Sequence, residues 1–362
     1  MEIKEYKCPA CGGAVKFDSS AQGMKCPYCD TEFEIAALEA YQKEIAVAEK
    51  DKFNFDGKGD LNKWDSDELN ALAQGSCPSC GAELLGDKNT AAMVCPNCGN
   101  SQIVLRRLSG FLKPDYVIPF KLDKKAAVEA LKNFYKGKKL LPDSFTGENR
   151  ISSIQGVYLP FWLFDANAQG YVRYKGTKVK FWSDAYYNYT KTDYFSIVRD
   201  GNMTFEKVPV DGSEKMDDSY MDAIEPFDYS GIKEFQTAFL SGYIAEKYDV
   251  DSNKSKERAG RRIKATVENE FARTVTGYSS VIKESSCVNV DNGKINYSLF
   301  PAWILNSKYK NQSYMFLMNG QTGRLAGSLP SDPGKEWKYR LLYTGILGVI
   351  FTVIIQLLRI LM

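Results

Sequence analysis

Eight of the nine cysteines in this chain fall into four Cys-Pro-x-Cys pairs, arranged as two units of identical spacing. Cys8 and Cys11 are followed by Cys26 and Cys29, and Cys77 and Cys80 are followed by Cys95 and Cys98, with 14 residues between the pairs of each unit. A Cys-x-x-Cys turn puts two thiolates on one side of a tight loop. Two such turns facing each other across a short hairpin give four sulfurs at tetrahedral geometry, which suits Zn²⁺. The chain has no histidine, so a zinc site here is all-cysteine. Pro9, Pro27, Pro78 and Pro96 fix φ after the first ligand of each pair. Gly12, Gly81 and Gly99 follow the second ligand, where a positive φ turns backbone N–H groups toward sulfur. Asp30 stands in the remaining such position and tolerates the same conformation. Disulfides would require an exported chain, and no signal peptide is present at the N-terminus. A redox motif would occur once beside a βαβ unit, not as a spaced quartet. The expectation is therefore two Cys₄ zinc ribbons. Four thiolates leave no open coordination position, so both zinc ions are structural, each contributing ~10 kcal/mol or more to a module too small to fold alone.

Catalytic chemistry is not legible elsewhere. Without histidine there is no Ser-His-Asp or Cys-His pair and no imidazole base. No Walker A sequence is present, which excludes a P-loop motor. Asp211, Glu214, Asp217, Asp218 and Asp222 read as a solvated loop. The reading is non-enzymatic. Charge bears on partners as well. The whole chain is +2, but residues 1–112 carry about 12 basic against 17 acidic side chains, near −5. Two Zn(Cys⁻)₄ centres at −2 each bring this region to about −9. Phosphate backbones need basic patches, so the ribbons are expected to bind protein and not nucleic acid.

The elements that must position these cysteines follow. Residues 1–34 form the first ribbon, 35–75 a helical linker, 76–106 the second ribbon, 113–334 an α+β domain and 337–361 a transmembrane anchor. Ile35, Leu38, Tyr41, Ile45 and Ala48 make one apolar stripe on a helix over 33–52. Residues 56–60 read as a linker. Asp65 with Glu68 forms a capping box, and Gly75 stops that short helix. The α+β domain shows a weak internal duplication over 113–200 and 220–325. Pro119-Phe120 leads into a helix capped by Asp123 and stopped by Gly137, and Pro226-Phe227 leads into a second, capped by Ser230 and stopped by Gly242. Pro160-Phe161-Trp162 and Pro301-Ala302-Trp303 then each open a strand meander, with Tyr171, Arg173 and Lys175 alternating along the first. The second half also holds a charged helix over 253–273. The aromatic run from Phe181 to Phe195 has strand composition and is expected to pack in the core or across strands. Asn319-Gly320 is a hairpin turn with two positive φ angles, and Cys287 a buried small residue.

Leu341 to Leu358 is an uncharged run of eighteen residues, about 27 Å as a helix and close to the ~30 Å hydrocarbon core. Trp337, Tyr339 and Tyr343 sit where an aromatic belt belongs. Lys335, Lys338 and Arg340 flank the near end and Arg359 alone the far end, so the N-terminal bulk is expected in the cytoplasm, on a single-pass tail anchor.

The chain resembles the YdjG-like family of bacterial membrane proteins with tandem transcription-factor-IIB-type zinc ribbons. The resemblance rests on Tyr6-Lys7-Cys8 through Gly13, the second cysteine quartet, Leu159 to Trp162, Glu225 to Tyr229, Asn319 to Gly323 and the terminal anchor. Such chains are often labelled primosomal helicase-like, a label the missing motor motifs contradict here. The resemblance implies a role in envelope-stress assemblies beside phage-shock-protein-A-like or flotillin-like partners. The combined reading is a multi-domain chain: two small β zinc ribbons, an α+β domain with an internal duplication, and one transmembrane helix. It would act as a membrane-anchored, cytoplasm-facing adaptor for cytosolic or membrane-associated proteins. The rival reading is a membrane-tethered nucleic-acid binder.

Overall fold

A computed structural model describes residues 6–46, 50–55, 57–58, 63–87, 94–106, 108, 110, 112–145, 147, 151, 153–310 and 312–361. In chain order the elements are β1 (Lys16–Asp18), β2 (Gly23–Lys25), β3 (Glu32–Phe33), α1 (Ile35–Ala46), β4 (Lys52–Phe53), β5 (Gly57–Lys58), α2 (Ser66–Ala71), β6 (Leu72–Ser76), β7 (Glu83–Asp87), β8 (Val104–Arg106), β9 (Tyr116–Val117) and α3 (Lys124–Tyr135). There follow β10 (Gln155–Ser183), β11 (Asn188–Asp211), α4 (Asp218–Ala223), β12 (Lys233–Glu234), β13 (Ile244–Glu246), α5 (Ser252–Arg273), β14 (Ser280–Tyr309), β15 (Gln312–Asn319), β16 (Leu325–Gly327) and α6 (Pro333–Leu361).

The chain divides into two compact units, one of residues 1–58, 164–208 and 256–295, the other of 59–163, 209–255 and 296–362. Region 113–334 contributes segments to both units, and the long strands β10 and β14 each have a segment in either one. In the first unit the cysteine module has its own antiparallel sheet, β1-β2-β3. There β4 and β5 run parallel to β14, with Asn289 opposite Lys52 and Lys294 opposite Gly57. The linker expected at 56–60 is therefore partly a strand, and Asp56, Gly59 and Asp60 lie outside the described residues. α5 seats on this unit through close contacts: Gly260 faces the Phe53 ring, and Val267 and Phe271 lie over Gly170, where added Cβ atoms would clash.

The second unit is organised differently. Its cysteine module is not a separate sheet: β8, β6 and β7 continue through β13, with Ala245 opposite Leu85 and Glu246 opposite Leu84. β13 pairs parallel to β10, and β14 pairs antiparallel to β15, which pairs to β16. One buried cluster on this framework holds Leu84, Leu159, Phe161, Leu163, Phe300 and Leu317. A second, under α3, holds Leu131, Phe145, Ile154, Trp303 and Phe316.

The helix starts and stops read from sequence fare unevenly. Asp65 and Glu68 make the expected capping box on α2, but Gly75 lies inside β6 and the helix ends at Ala71. Asp123 caps α3, and Gly137 sits at φ +77°. The second expected helix is absent. Residues 229–231 and 237–240 are short 3₁₀ turns, and Asp228 is the cap in place of Ser230. Gln321 explains this: its side chain accepts from the Asp228 N–H and donates to the Asp228 carbonyl, each at 2.8 Å, which holds the segment in a turn. The two tryptophans do share a setting. Trp162 on β10 and Trp303 on β14 are both buried, and each indole N–H donates to a backbone carbonyl, that of Val250 or Leu122.

Further corrections concern single residues. The 319–323 loop is not a two-residue turn: Gly323 carries the positive φ, and the Asn319 side chain accepts from the N–H groups of Gln321 and Thr322. On α1, Leu38 is buried but Ile35 is exposed; Ile45 and Ala48 lie outside the described side chains. Asp211 is buried, Asp217 caps α4, and Cys287 is only half-buried. The aromatic run is a strand pair, with Trp182 stacked on Tyr189, yet its tip is not core. Phe181 is 76% exposed, Tyr187 68% and Tyr186 87%. Residues 181–189 surround the β10–β11 turn, and all of them are exposed.

α6 runs from Pro333, and its start is tied down by Asp332, whose carboxylate accepts from the N–H groups of Gly334 and Lys335. Lys335 donates to the Leu141 carbonyl and pairs with Asp143. The helix is long and apolar enough to span a membrane: mean hydropathy is 2.3 over its most apolar stretch, none of which is buried.

Candidate metal centres

Four short chain turns build the two centres, and they share one backbone pattern. The N–H of the residue after each second cysteine donates to the carbonyl of the first: Gly12 to Cys8, Asp30 to Cys26, Gly81 to Cys77 and Gly99 to Cys95, all at 2.8–2.9 Å. The first cysteine of each pair in turn donates its N–H across the turn, to Gly13, Thr31, Ala82 or Asn100. The residues after the second ligands have φ of +78°, +56°, +72° and +72°, so Asp30 adopts the glycine-like conformation expected of it. Backbone N–H groups then reach sulfur: those of Ala10 and Cys11 bond Cys8, and those of Ser79 and Cys80 bond Cys77.

The eight cysteines assemble into two groups, Cys8, Cys11, Cys26 and Cys29, and Cys77, Cys80, Cys95 and Cys98, the sulfurs of each group lying within 4.8 Å of one another. Cys8 Sγ lies 3.6 Å from Cys29 Sγ, Cys11 Sγ 3.5 Å from Cys26 Sγ, Cys77 Sγ 3.6 Å from Cys98 Sγ and Cys80 Sγ 3.5 Å from Cys95 Sγ. A tetrahedron with metal–sulfur bonds of about 2.3 Å has edges of about 3.8 Å. These spacings fit one tetrahedral ion per group and are far too long for disulfides.

The thiols are not equivalent before metal binds. Burial pushes Cys8 up to about 12. The Thr31 hydroxyl and N–H hold Cys29 down, at about 6. Burial works against Cys77, but the N–H groups of Cys80 and Ser79 bring it to about 7. Burial pushes Cys95 up strongly. A cation at the centre of each group would remove the cost of ionising the buried members, so its binding would release protons and couple each site to folding.

The surroundings of the two centres differ, and sequence reading missed this. In the first unit, Lys175 Nζ donates to the carbonyls of Pro9 and Ala10, both at 2.8 Å. Nearby, Arg173 is buried, with Nε 3.2 Å from Glu284 Oε2 and the guanidinium over the Tyr41 ring of α1. In the second unit, the buried Glu246 carboxyl accepts from Asn97 Nδ2 at 2.6 Å and from the Ser213 hydroxyl at 3.3 Å. Burial raises Glu246 to about 7. Asn306 donates its side-chain amide to the Pro96 carbonyl, and Lys215, which senses Cys80, is paired with Asp249 at 2.5 Å. Arg173 and Lys175 showed in the sequence only as polar alternations on a strand, and Glu246 carried no local signal.

Two closed four-cysteine sets and one exposed, membrane-length helix define the class: a chain with two potential four-thiolate metal centres and a candidate membrane anchor. It belongs to the YdjG-like family. It is 36% identical over 349 residues to a Bacillus subtilis (strain 168) protein described as "Uncharacterized protein YdjG", an alignment covering 96% of each chain. No family model matches the chain, and no solved structure matches it.

Proposed function

We propose that this protein is a membrane-anchored, cytoplasm-facing adaptor whose two Cys₄ centres hold structural Zn²⁺ in ribbon-like modules. An all-thiolate set at these spacings supports zinc, and four ligands per site leave no position for a substrate. The exposed apolar helix supports the anchor, and Lys335, Lys338 and Arg340 at its near end support the orientation. The observation that carries the docking role is the aromatic tip of the β10–β11 hairpin. Phe181, Trp182, Tyr186 and Tyr187 together expose a patch of a kind that soluble surfaces rarely leave open without a partner. The acidic balance of residues 1–112 favours protein partners over nucleic acid. Family resemblance directs the search to envelope-stress assemblies of the phage-shock-protein-A-like or flotillin-like kind. The role is non-enzymatic.

The test is crosslinked affinity purification from native membranes. Wild-type chain, a Trp182→Ser/Tyr186→Ser/Tyr187→Ser variant and a Cys8→Ser variant are compared. Capture of a discrete protein set that the hairpin variant loses is expected. Capture of nucleic acid in place of protein, or an unchanged set with the hairpin variant, would contradict the docking role.

A further inference from the structure

The two centres look alike in their cysteines but not in the charge that reaches their thiolates. The turns opened by Cys8, Cys77 and Cys95 each present two backbone N–H groups to that first sulfur. In the first turn these belong to the Pro9–Ala10 and Ala10–Cys11 peptides, whose N–H groups both bond Cys8 Sγ. Lys175 Nζ occupies the other end of both peptides, on the Pro9 and Ala10 carbonyl oxygens at 2.8 Å. An ammonium on a carbonyl draws electron density from the peptide and strengthens the N–H donor at its far end, so hydrogen bonds in series reinforce one another. Lys175 thus delivers positive charge to Cys8 through two parallel peptide bridges. The paired Arg173 and Glu284 nearby add no net charge.

The second centre has the same bridge with a weaker terminus. The Pro96–Asn97 peptide donates its N–H to Cys95 Sγ, and its carbonyl accepts from Asn306, a neutral amide. The Asn97 side chain is turned to the carboxyl of Glu246, and Lys215, a cation coupled electrostatically to Cys80, is paired with Asp249. A tetrathiolate zinc centre carries a charge of −2. Among the described residues, Lys175 is a cation joined to a ligand turn of the first centre, whereas the corresponding contact at the second is a neutral amide.

We infer that Lys175 is a positioning residue for the first metal centre, and that this centre holds its ion more tightly than the second. The inference rests on the reading that both cysteine sets bind zinc. Partners outside the ligand shell typically change metal affinity 10- to 100-fold. A ligand-bridging cation at the first centre therefore makes the second the site that empties first when free zinc falls.

The experiment is an equilibrium zinc titration of the full detergent-solubilised chain against a chromophoric chelator, for wild type, Lys175→Gln and Lys175→Arg. Glutamine keeps an N–H donor but loses the charge; arginine keeps both. Wild type should show two steps at least about tenfold apart. Lys175→Gln should weaken the tighter step about 10- to 100-fold and leave the looser step in place, which also reports that the chain is still folded. Lys175→Arg should restore the tighter step. Two equal steps in wild type, a Lys175→Gln effect on the looser step or on both, no effect at all, or failure of arginine to rescue would each overturn the inference. A chain that takes up no zinc would instead overturn the reading on which it rests.

Discussion

Glu246→Gln should stabilise the protein increasingly as pH rises above about 4.5 and leave it nearly unchanged only at and below that pH. Glu246 is 1% exposed on β13, and Oε2 has no hydrogen-bond partner among the described residues. Burial raises it from its ordinary 4.5 to about 7. A carboxyl whose folded pKa lies above its unfolded one binds its proton more tightly when folded. Its contribution to stability is full below about pH 4.5 and is lost as pH rises through about 7. The whole swing is about 3 kcal/mol, and the part falling between pH 6 and pH 8 is about 1 kcal/mol. Glutamine keeps the acceptor facing Asn97 Nδ2 and cannot ionise. The assay is denaturant unfolding of the zinc-loaded chain in detergent at several pH values between 6 and 8, compared between wild type and Glu246→Gln. Proton competition for the cysteines is common to both proteins and cancels in the difference. The difference should grow by about 1 kcal/mol from pH 6 to pH 8 in favour of the variant. Parallel curves, or a variant that loses ground as pH rises, would refute the assignment of Glu246 as a buried acid.

Three other outcomes follow from the same structure. Truncation before Trp337 should move the chain from the membrane to the soluble fraction with its circular dichroism retained; a truncated chain that still sediments after alkaline washing would reveal another membrane element. Leu84→Ala, which empties a fully buried position in the core beneath the second centre, should cost about 2–5 kcal/mol in denaturant unfolding; a loss under 1 kcal/mol would mean that this core is loosely packed. Gly170→Leu should be poorly tolerated, because an added Cβ would already lie 2.4 Å from Val267; thermal melting should fall by several degrees, and an unchanged melting temperature would contradict the close seating of α5.

Features set by short-range chemistry were legible in the sequence. The cysteine spacing, the positive φ at Gly12 and Asp30, the cap at Asp123 and the apolar run of α6 each depend on a few adjacent residues. What was missed depends on distant partners. Ser230 looked like a helix start, but Gln321, far along the chain, bonds both sides of Asp228 and fixes a turn. Lys175 meets the first cysteine turn across 166 positions of sequence, and Glu246 meets Asn97 across 149. Alternation along β10 marks Arg173 and Lys175 as facing one side; it does not say that a metal module lies there. The aromatic composition of 181–195 gave the strands correctly. Whether a strand face is covered depends on what packs over it, and at the tip of the β10–β11 hairpin residues 181, 186 and 187 remain open.

The central claim is that one membrane-bound chain carries two zinc centres. Its most direct test is elemental analysis of protein purified from the membrane fraction under reducing conditions, with metal counted against chain concentration. The account predicts two zinc ions per chain, falling to about one in Cys8→Ser and again to about one in Cys77→Ser. Iron in place of zinc, no metal in freshly prepared protein, or a chain recovered from the soluble fraction would contradict it.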